Sequence, residues 1–388
     1  MNLLMLSSDR NLLDPGSRVF ARIKEQSQLV DHLHVVLLTP RITGNAERCI
    51  DEHLTITVTN SLHRIFFIPD AYVIARRVIK ESEKEGASGS WVVTTQDPFW
   101  IGAIGWLTAR TTGAALHIQL HTDPFSYAWR KEKWIRHIEY PLALFLLTHA
   151  DGVRVIARRL WNSVRLLGVS GEKITTLPIP TDVSVLQEAP ITVDLHRSYA
   201  EYTKIVLAMG RLTEEKNFSL LLRAFARARK THEDTALVLV GKGPRESELR
   251  FLARALGIDS HVKFLPWARD VASYYKTADV YVQPSLYEGW GLAVVEALSC
   301  GAPVLMTDVG CAGEVVIDGK TGLVVGVGDE DALADALSWL LSHPEEAKRL
   351  GAAGKEAVKK LATPVEALQL YKESWTQALR AKFPMSNS

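Results

Sequence analysis

Short, wholly apolar runs alternate along most of the chain with stretches of helical period. Runs of four to eight apolar residues mark strands buried on both faces, and the amphipathic stretches between them mark crossover helices. In the first half this pattern predicts strands at Asn2–Ser7, Leu33–Thr39, Leu54–Thr59, Trp91–Thr95, Ala115–Leu120 and Gly152–Ile156. Helices are expected at Ser17–Gln28, Asp70–Glu85 and Phe99–Arg110. From Ile174 to Pro190 the period is lost and Pro178, Pro180 and Pro190 intervene, so this stretch reads as a linker. A second series follows, with strands at Ile205–Met209, Ala236–Val240, Val262–Leu265, Ala278–Ser285, Pro303–Thr307 and Gly322–Val325. Its helices are Phe218–Lys230, Glu246–Leu256, Val271–Thr277, a stretch ending at Gly301, and Asp331–Ser342, and a last helical stretch runs from Pro364 to Lys382. The fold class expected is α/β, with parallel-sheet domains over residues 1–185 and 195–363 and a terminal helix in 364–388.

Length agrees with two cores, since 388 residues exceed what one core usually serves. Charge is balanced, 45 Lys+Arg against 44 Asp+Glu, so no nucleic-acid partner is expected. Cys49, Cys300 and Cys311 form no CxxC pair and no metal-ligand spacing; they fit free thiols in a reducing cytoplasm. The opening MNLLMLSSDR lacks a basic leader and reads as a first strand rather than a signal peptide. No run reaches the ~18 apolar residues of a spanning helix. A cytoplasmic protein, soluble or peripheral to a membrane, is expected.

The most informative stretch is Pro284–Gly301, PSLYEGWGLAVVEALSCG. It leaves an apolar strand, turns through Gly289 and Gly291, and enters a helix that stops before Pro303. Glu288 lies on the turn and Glu296 inside the helix. Ligands of doubly wound sheets bind beyond the carboxyl ends of the strands. A helix start offers free N–H groups and a positive dipole end, which suit phosphate. An ionised carboxylate only accepts hydrogen bonds, so hydroxyls are its natural partners there. For an arbitrary pair at this spacing, two solvated charges are the plainer account. Here, however, Glu296 sits between Val295 and Ala297 on an apolar helix, and a buried Glu needs a partner. The stretch reads as a cradle for a ligand with phosphates and many hydroxyls, such as a nucleotide-sugar.

Other polar residues fall at the same edges. Arg211 and Lys216, in GRLTEEKN, follow the strand Ile205–Met209; a guanidinium fork and a mobile ammonium together can neutralise a diphosphate. Alone, such a pair is more often a solvated loop. Gly241-Lys242-Gly243-Pro244 lacks the third glycine of a dinucleotide fingerprint, and no phosphate-loop motif occurs. Asp14-Pro15-Gly16-Ser17-Arg18 follows the first strand, where Gly16 would let the backbone approach a ligand; Arg18 reads as a surface residue. His121 ends the strand Ala115–Leu120, and Asp123 reads as a helix N-cap. The basic and aromatic stretch Trp129–Lys173 has two readings: contact with anionic lipid headgroups, or, more plainly, helix core beneath a solvated basic face.

The pattern E-G-W-G-L-x-x-x-E at Glu288–Glu296, with G-R-L-x-x-x-K-N at Gly210–Asn217, resembles the donor-binding signature of retaining glycosyltransferases of family 4 (glycosyl transferases group 1), which have the GT-B fold. The resemblance covers nearly the whole chain and is strongest from Val206 to Val325. It implies two Rossmann-like domains facing each other across a cleft, with a C-terminal helix that crosses back to the first. It further implies transfer of a sugar, with retention, from a UDP- or GDP-linked donor to a hydroxyl of a glycan or lipid-linked glycan of envelope or exopolysaccharide synthesis. Carried over by position, Arg211, Lys216 and the N–H groups of Gly291 and Leu292 meet the donor diphosphate, and Glu296 its ribose. Glu288 and His121 lie beside the sugar at the reacting carbon, as the catalytic pair. Gly16 touches the diphosphate or the acceptor, the Gly241–Pro244 loop lines the donor pocket, and Trp267 either flanks the base or caps the core. No cofactor is implied, and without an Asp-x-Asp signature no metal. A sugar-phosphate synthase of the same fold and a non-catalytic nucleotide-sugar-binding protein are the alternatives.

Overall fold

A computed structural model of the chain describes residues 1–41, 47–84 and 90–384. They form two parallel-sheet units. The first comprises residues 1–125, 133–178 and the chain from Pro364 onward; the second comprises 126–132 and 179–363.

The first unit is built on β1 (Asn2–Ser7), β2 (His32–Leu37), β3 (Glu47–Asp51), β4 (Leu54–Val58), β5 (Trp91–Thr95), β6 (Ala115–Leu120), β7 (Gly152–Val155) and β8 (Ile174–Thr176). Their order across the sheet is β3-β4-β2-β1-β5-β6-β7-β8. All pairs are parallel except β3 with β4, which is antiparallel. Two of these strands depart from the sequence reading. Glu47–Asp51, an edge strand, carries too few apolar residues to register as a buried run. Ile174–Thr176 lies inside the stretch read as a linker, yet it pairs with β7 through Val153, Arg154 and Val155. The chain leaves the first unit at Pro178, and the helix Val183–Glu188, capped by Asp182, already belongs to the second. The helix after β4 spans Phe67–Lys84; Glu85, the expected end, lies outside the described residues.

The helix Pro364–Lys382 packs on β5, β6 and β7 of the first unit. Trp375 and Ala378 are fully buried there and Tyr371 nearly so. A polar chain runs beneath it. Buried His117 on β6 bonds Thr94 Oγ1 through Nδ1 and Ser374 Oγ through Nε2, each at 2.9 Å. Burial and the neighbouring Arg154 lower its pKa to about 3, so one ring nitrogen donates and the other accepts. Arg154, also fully buried, donates to Gln119 Oε1 at 2.7 Å and to the Leu177 carbonyl at 2.9 Å, and lies 4.5 Å from the Tyr371 ring centre.

The second unit holds β9 (Lys204–Met209), β10 (Thr235–Val240), β11 (Val262–Leu265), β12 (Val280–Gln283), β13 (Val304–Thr307) and β14 (Leu323–Val325). Their order is β11-β10-β9-β12-β13-β14, all parallel. The chain steps outward from β9 to β11 and then returns to the other side of β9. The reversal between β9 and β12 is the topological switch point, the place where an open α/β sheet opens a crevice for a ligand. The central strands β9, β10, β12 and β13 are largely apolar and buried because helices cover both faces. Phe218, Leu221, Leu222 and Phe225 of one helix pack with Leu237, Leu239 and Leu337, each contributing about 1.5–3 kcal/mol of burial. At the carboxyl edge, a Cβ at Gly241 would stand 1.9 Å from the Gly210 carbonyl oxygen. Only glycine lets the turn after β10 lie against the loop that carries Arg211.

Candidate functional site

The switch point brings together two turns 72 residues apart. The turn after β9 contains Arg211 and a single 3₁₀ turn, Glu214–Lys216. The turn after β12 contains Glu288. The Leu286 N–H donates to the Glu215 carbonyl at 2.8 Å, which ties the two backbones. Trp290 anchors the second turn: its ring is buried, and its carbonyl accepts from the Cys311 N–H at 2.8 Å.

Lys216 Nζ and Glu288 Oε1 are 2.5 Å apart, with side chains 16% and 12% exposed. The same carboxylate oxygen accepts from Ser285 Oγ at 2.8 Å and from Gln283 Nε2. Lys216 therefore spends one of its three N–H groups on Glu288 and keeps two. Arg211 donates from one terminal nitrogen to Glu215 Oε1 at 2.9 Å while its side chain stays 68% exposed. Glu296 is half-buried on the helix Leu292–Ser299, and its Oε2 accepts from Tyr275 Oη at 3.2 Å. Tyr275 and Tyr281 meet edge to face, 5.3 Å between ring centres, beneath the two acids. Gly291 caps the helix at φ +91°, a left-handed conformation that favours glycine. The N–H groups of Gly291 and Leu292 open the first turn, where no intrahelical acceptor exists.

In the first unit, His121 is the first residue past β6. Burial, then Arg154, Arg22 and His117, lower its pKa to about 3, so the half-buried imidazole is neutral. Asp123 does not cap the next helix, which begins only at Tyr127; it accepts from the Phe125 N–H at 3.0 Å and closes a turn around Pro124. Gly16 is exposed, its N–H is held by Asp14 Oδ1 at 2.9 Å, and a Cβ there would meet that oxygen alone at 3.4 Å. In the second unit, Trp267 is 50% exposed on the loop after β11 and does not cap the core.

In the basic and aromatic stretch, the helix Arg136–Thr148 turns Ala143, Leu146 and Leu147 into the core. Arg158 and Arg165 cover Trp161, while Trp134 is exposed. Among the described residues no group of three or more His, Cys, Asp or Glu is arranged to hold a metal ion, and no helix is long and apolar enough to cross a membrane. The sequence reading missed Gln283, Ser285, Tyr275 and Tyr281. Its one available signal was a glutamine closing the apolar run Val280–Val282.

Residues 196–357 match the family model described as glycosyl transferases group 1, a span that contains Arg211, Lys216, Glu288 and Glu296. The GDP-mannose-dependent alpha-(1-6)-phosphatidylinositol monomannoside mannosyltransferase of Mycolicibacterium smegmatis is 37% identical over 161 residues, 39% of this chain and 42% of the relative. The phosphatidyl-myo-inositol mannosyltransferase of Mycobacterium leprae is 35% identical over 219 residues, 55% of each chain. The chain thus spans about half the length of the curated relatives it matches. The Anabaena protein Alr3699/HepE, solved in complex with UDP, superposes with a TM-score of 0.73 at 17% identity, covering 97% of this chain and 100% of that one. The fold is that of the GT-B proteins. The likeness to the glycosyl transferases group 1 family lies in residues 196–357 of the second unit.

Proposed function

We propose that the protein is a metal-independent glycosyltransferase that moves a sugar from a nucleoside-diphosphate sugar to a hydroxyl of a glycan or lipid-linked acceptor, keeping the anomeric configuration. The observation that carries the proposal is the Lys216–Glu288 pair, held at the β9/β12 switch point beside a helix start. Lys216, with two N–H groups to spare, and exposed Arg211 neutralise the donor diphosphate, and stabilise it further as it leaves. The N–H groups of Gly291 and Leu292 add to this at the phosphate. Glu296 receives the ribose hydroxyls. Glu288 receives a sugar hydroxyl and lies beside the positive charge that develops at the anomeric carbon. The acceptor hydroxyl loses its proton to an oxygen of the departing phosphate, on the face from which the phosphate leaves.

The family and the names of the two mannosyltransferases support this activity class. GDP in one relative's name and UDP in the solved neighbour support the donor class without choosing its base. The test is release of nucleoside diphosphate from a panel of UDP- and GDP-sugars with a hydroxyl acceptor, in excess chelator. Turnover is expected with at least one donor, and Lys216→Ala is expected to lower it on the order of 10²–10³-fold. Normal turnover by Lys216→Ala would refute the phosphate assignment.

A further inference from the structure

We propose that Gln283 is a positioning residue for Glu288, oriented in turn by Tyr281, and that this relay fixes which carboxylate oxygen meets the substrate. The inference rests on the donor-site reading above. Gln283 closes β12 and is buried, as are Ser285 and Tyr281. Its amide is not free to flip. Tyr281 Oη donates to Gln283 Oε1 at 2.7 Å, and Gln283 Nε2 faces Glu288 Oε1 and, at 3.3 Å, Ser285 Oγ. The reversed amide would set its carbonyl oxygen against the carboxylate. Tyr281 stays a donor over the working pH range, because burial and the charges of Glu288 and Glu296 hold its pKa well above the ordinary value.

The consequence falls on Glu288. Its Oε1 receives Lys216 Nζ, Ser285 Oγ and Gln283 Nε2, three donors on one oxygen. Its Oε2 has no partner among the described residues. One oxygen is saturated from below and the other is presented, so the carboxylate enters the reaction already oriented. Lys216 is tied to the same oxygen, which fixes its ammonium relative to the presented one. A Glu held only by Lys216 would keep its charge pair but lose this choice of oxygen.

The test compares wild type, Gln283→Met and Gln283→Glu. Methionine keeps length and burial without the N–H. Its kcat is expected to fall about 10- to 100-fold, the worth of a hydrogen bond to a charged group, while donor KM changes much less. In Gln283→Glu a protonated carboxyl at 283 restores the donor, so activity recovers as pH is lowered and is lost as the second proton leaves. A purely structural role would give no such new alkaline limb. Crystal structures of wild type and Gln283→Met are expected to show the Glu288 carboxylate turned from its wild-type position. Wild-type kcat in Gln283→Met with Glu288 unmoved would overturn the inference. Should wild type bind no nucleoside diphosphate and transfer no sugar, the functional reading falls, and the Glu288 position in the two crystals still decides the relay.

Discussion

The Lys216–Glu288 pair makes a quantitative prediction that does not depend on finding a substrate. At 2.5 Å, and with the effective dielectric of about 20 suited to sites near a protein surface, the Coulomb attraction alone is about 7 kcal/mol. Desolvation of two ions offsets most of it. Removing one partner of a fully buried pair costs about 3–5 kcal/mol, and the residual exposure of 16% and 12% reduces that to about 2–3 kcal/mol. Lys216→Met, Glu288→Gln and the double variant form a cycle. Each single change leaves a half-buried group without its charge partner, and the double change removes the problem. The expected coupling is about 2 kcal/mol, read from urea unfolding followed by tryptophan fluorescence. A coupling below about 0.5 kcal/mol, the worth of an exposed pair, would show that the two turns do not bring these side chains together.

The first unit should be acid-sensitive. His34, His117 and His121 have folded pKa values of about 4, 3 and 3, below the ordinary 6.5. Below pH 6.5 the unfolded chain takes up protons that the folded chain refuses, so stability falls with pH by about 2 kcal/mol per histidine from pH 7 to 5. Asp97, raised to about 6 by burial, acts oppositely: its folded form holds a proton that the unfolded form has lost, returning about 1 kcal/mol over the same range. Denaturation at pH 7 and 5 should show a net loss of about 4–5 kcal/mol in the first unit; unchanged stability would contradict these burial assignments. Tyr275→Phe deletes the donor to Glu296 and should weaken nucleoside-diphosphate-sugar binding about 10-fold with kcat within about twofold; a fall confined to kcat would misplace Glu296. Trp375→Ala should cost about 3–5 kcal/mol by opening a cavity under the last helix, and a loss under about 1 kcal/mol in thermal unfolding would show that the helix is not a core element of the first unit.

What could be read in advance follows physical lines. The buried parallel strands stood out because both faces are covered, so β1, β5 and β6 appear with the expected ends. Strands β3 (ERCID) and β8 (ITT) escaped because each holds too few apolar residues to register as a run, whereas the edge strands β11 and β14 carry enough. Glu288 and Lys216 were legible as separate motifs, each at a carboxyl strand end. Their pairing was not, since it depends on β9 and β12 lying side by side, a fact of sheet order. Gln283 and Tyr281 were hidden because a polar residue in a strand is ordinarily a solvent-facing position. Only the three-dimensional arrangement shows both buried, Gln283 aimed at Glu288 and Tyr281 at Gln283. The tie of His117 to Ser374 joins residues 257 apart, beyond the reach of any local pattern.

The most direct test is a thermal-shift titration of wild type and Lys216→Ala with UDP, GDP and their sugars. A ligand that binds the folded form at 100 times its dissociation constant adds about 2.7 kcal/mol of stability. The account predicts that at least one nucleoside diphosphate raises the melting temperature of wild type and that Lys216→Ala loses most of this shift. Equal shifts in the two proteins, or none in wild type with any nucleotide, would contradict it.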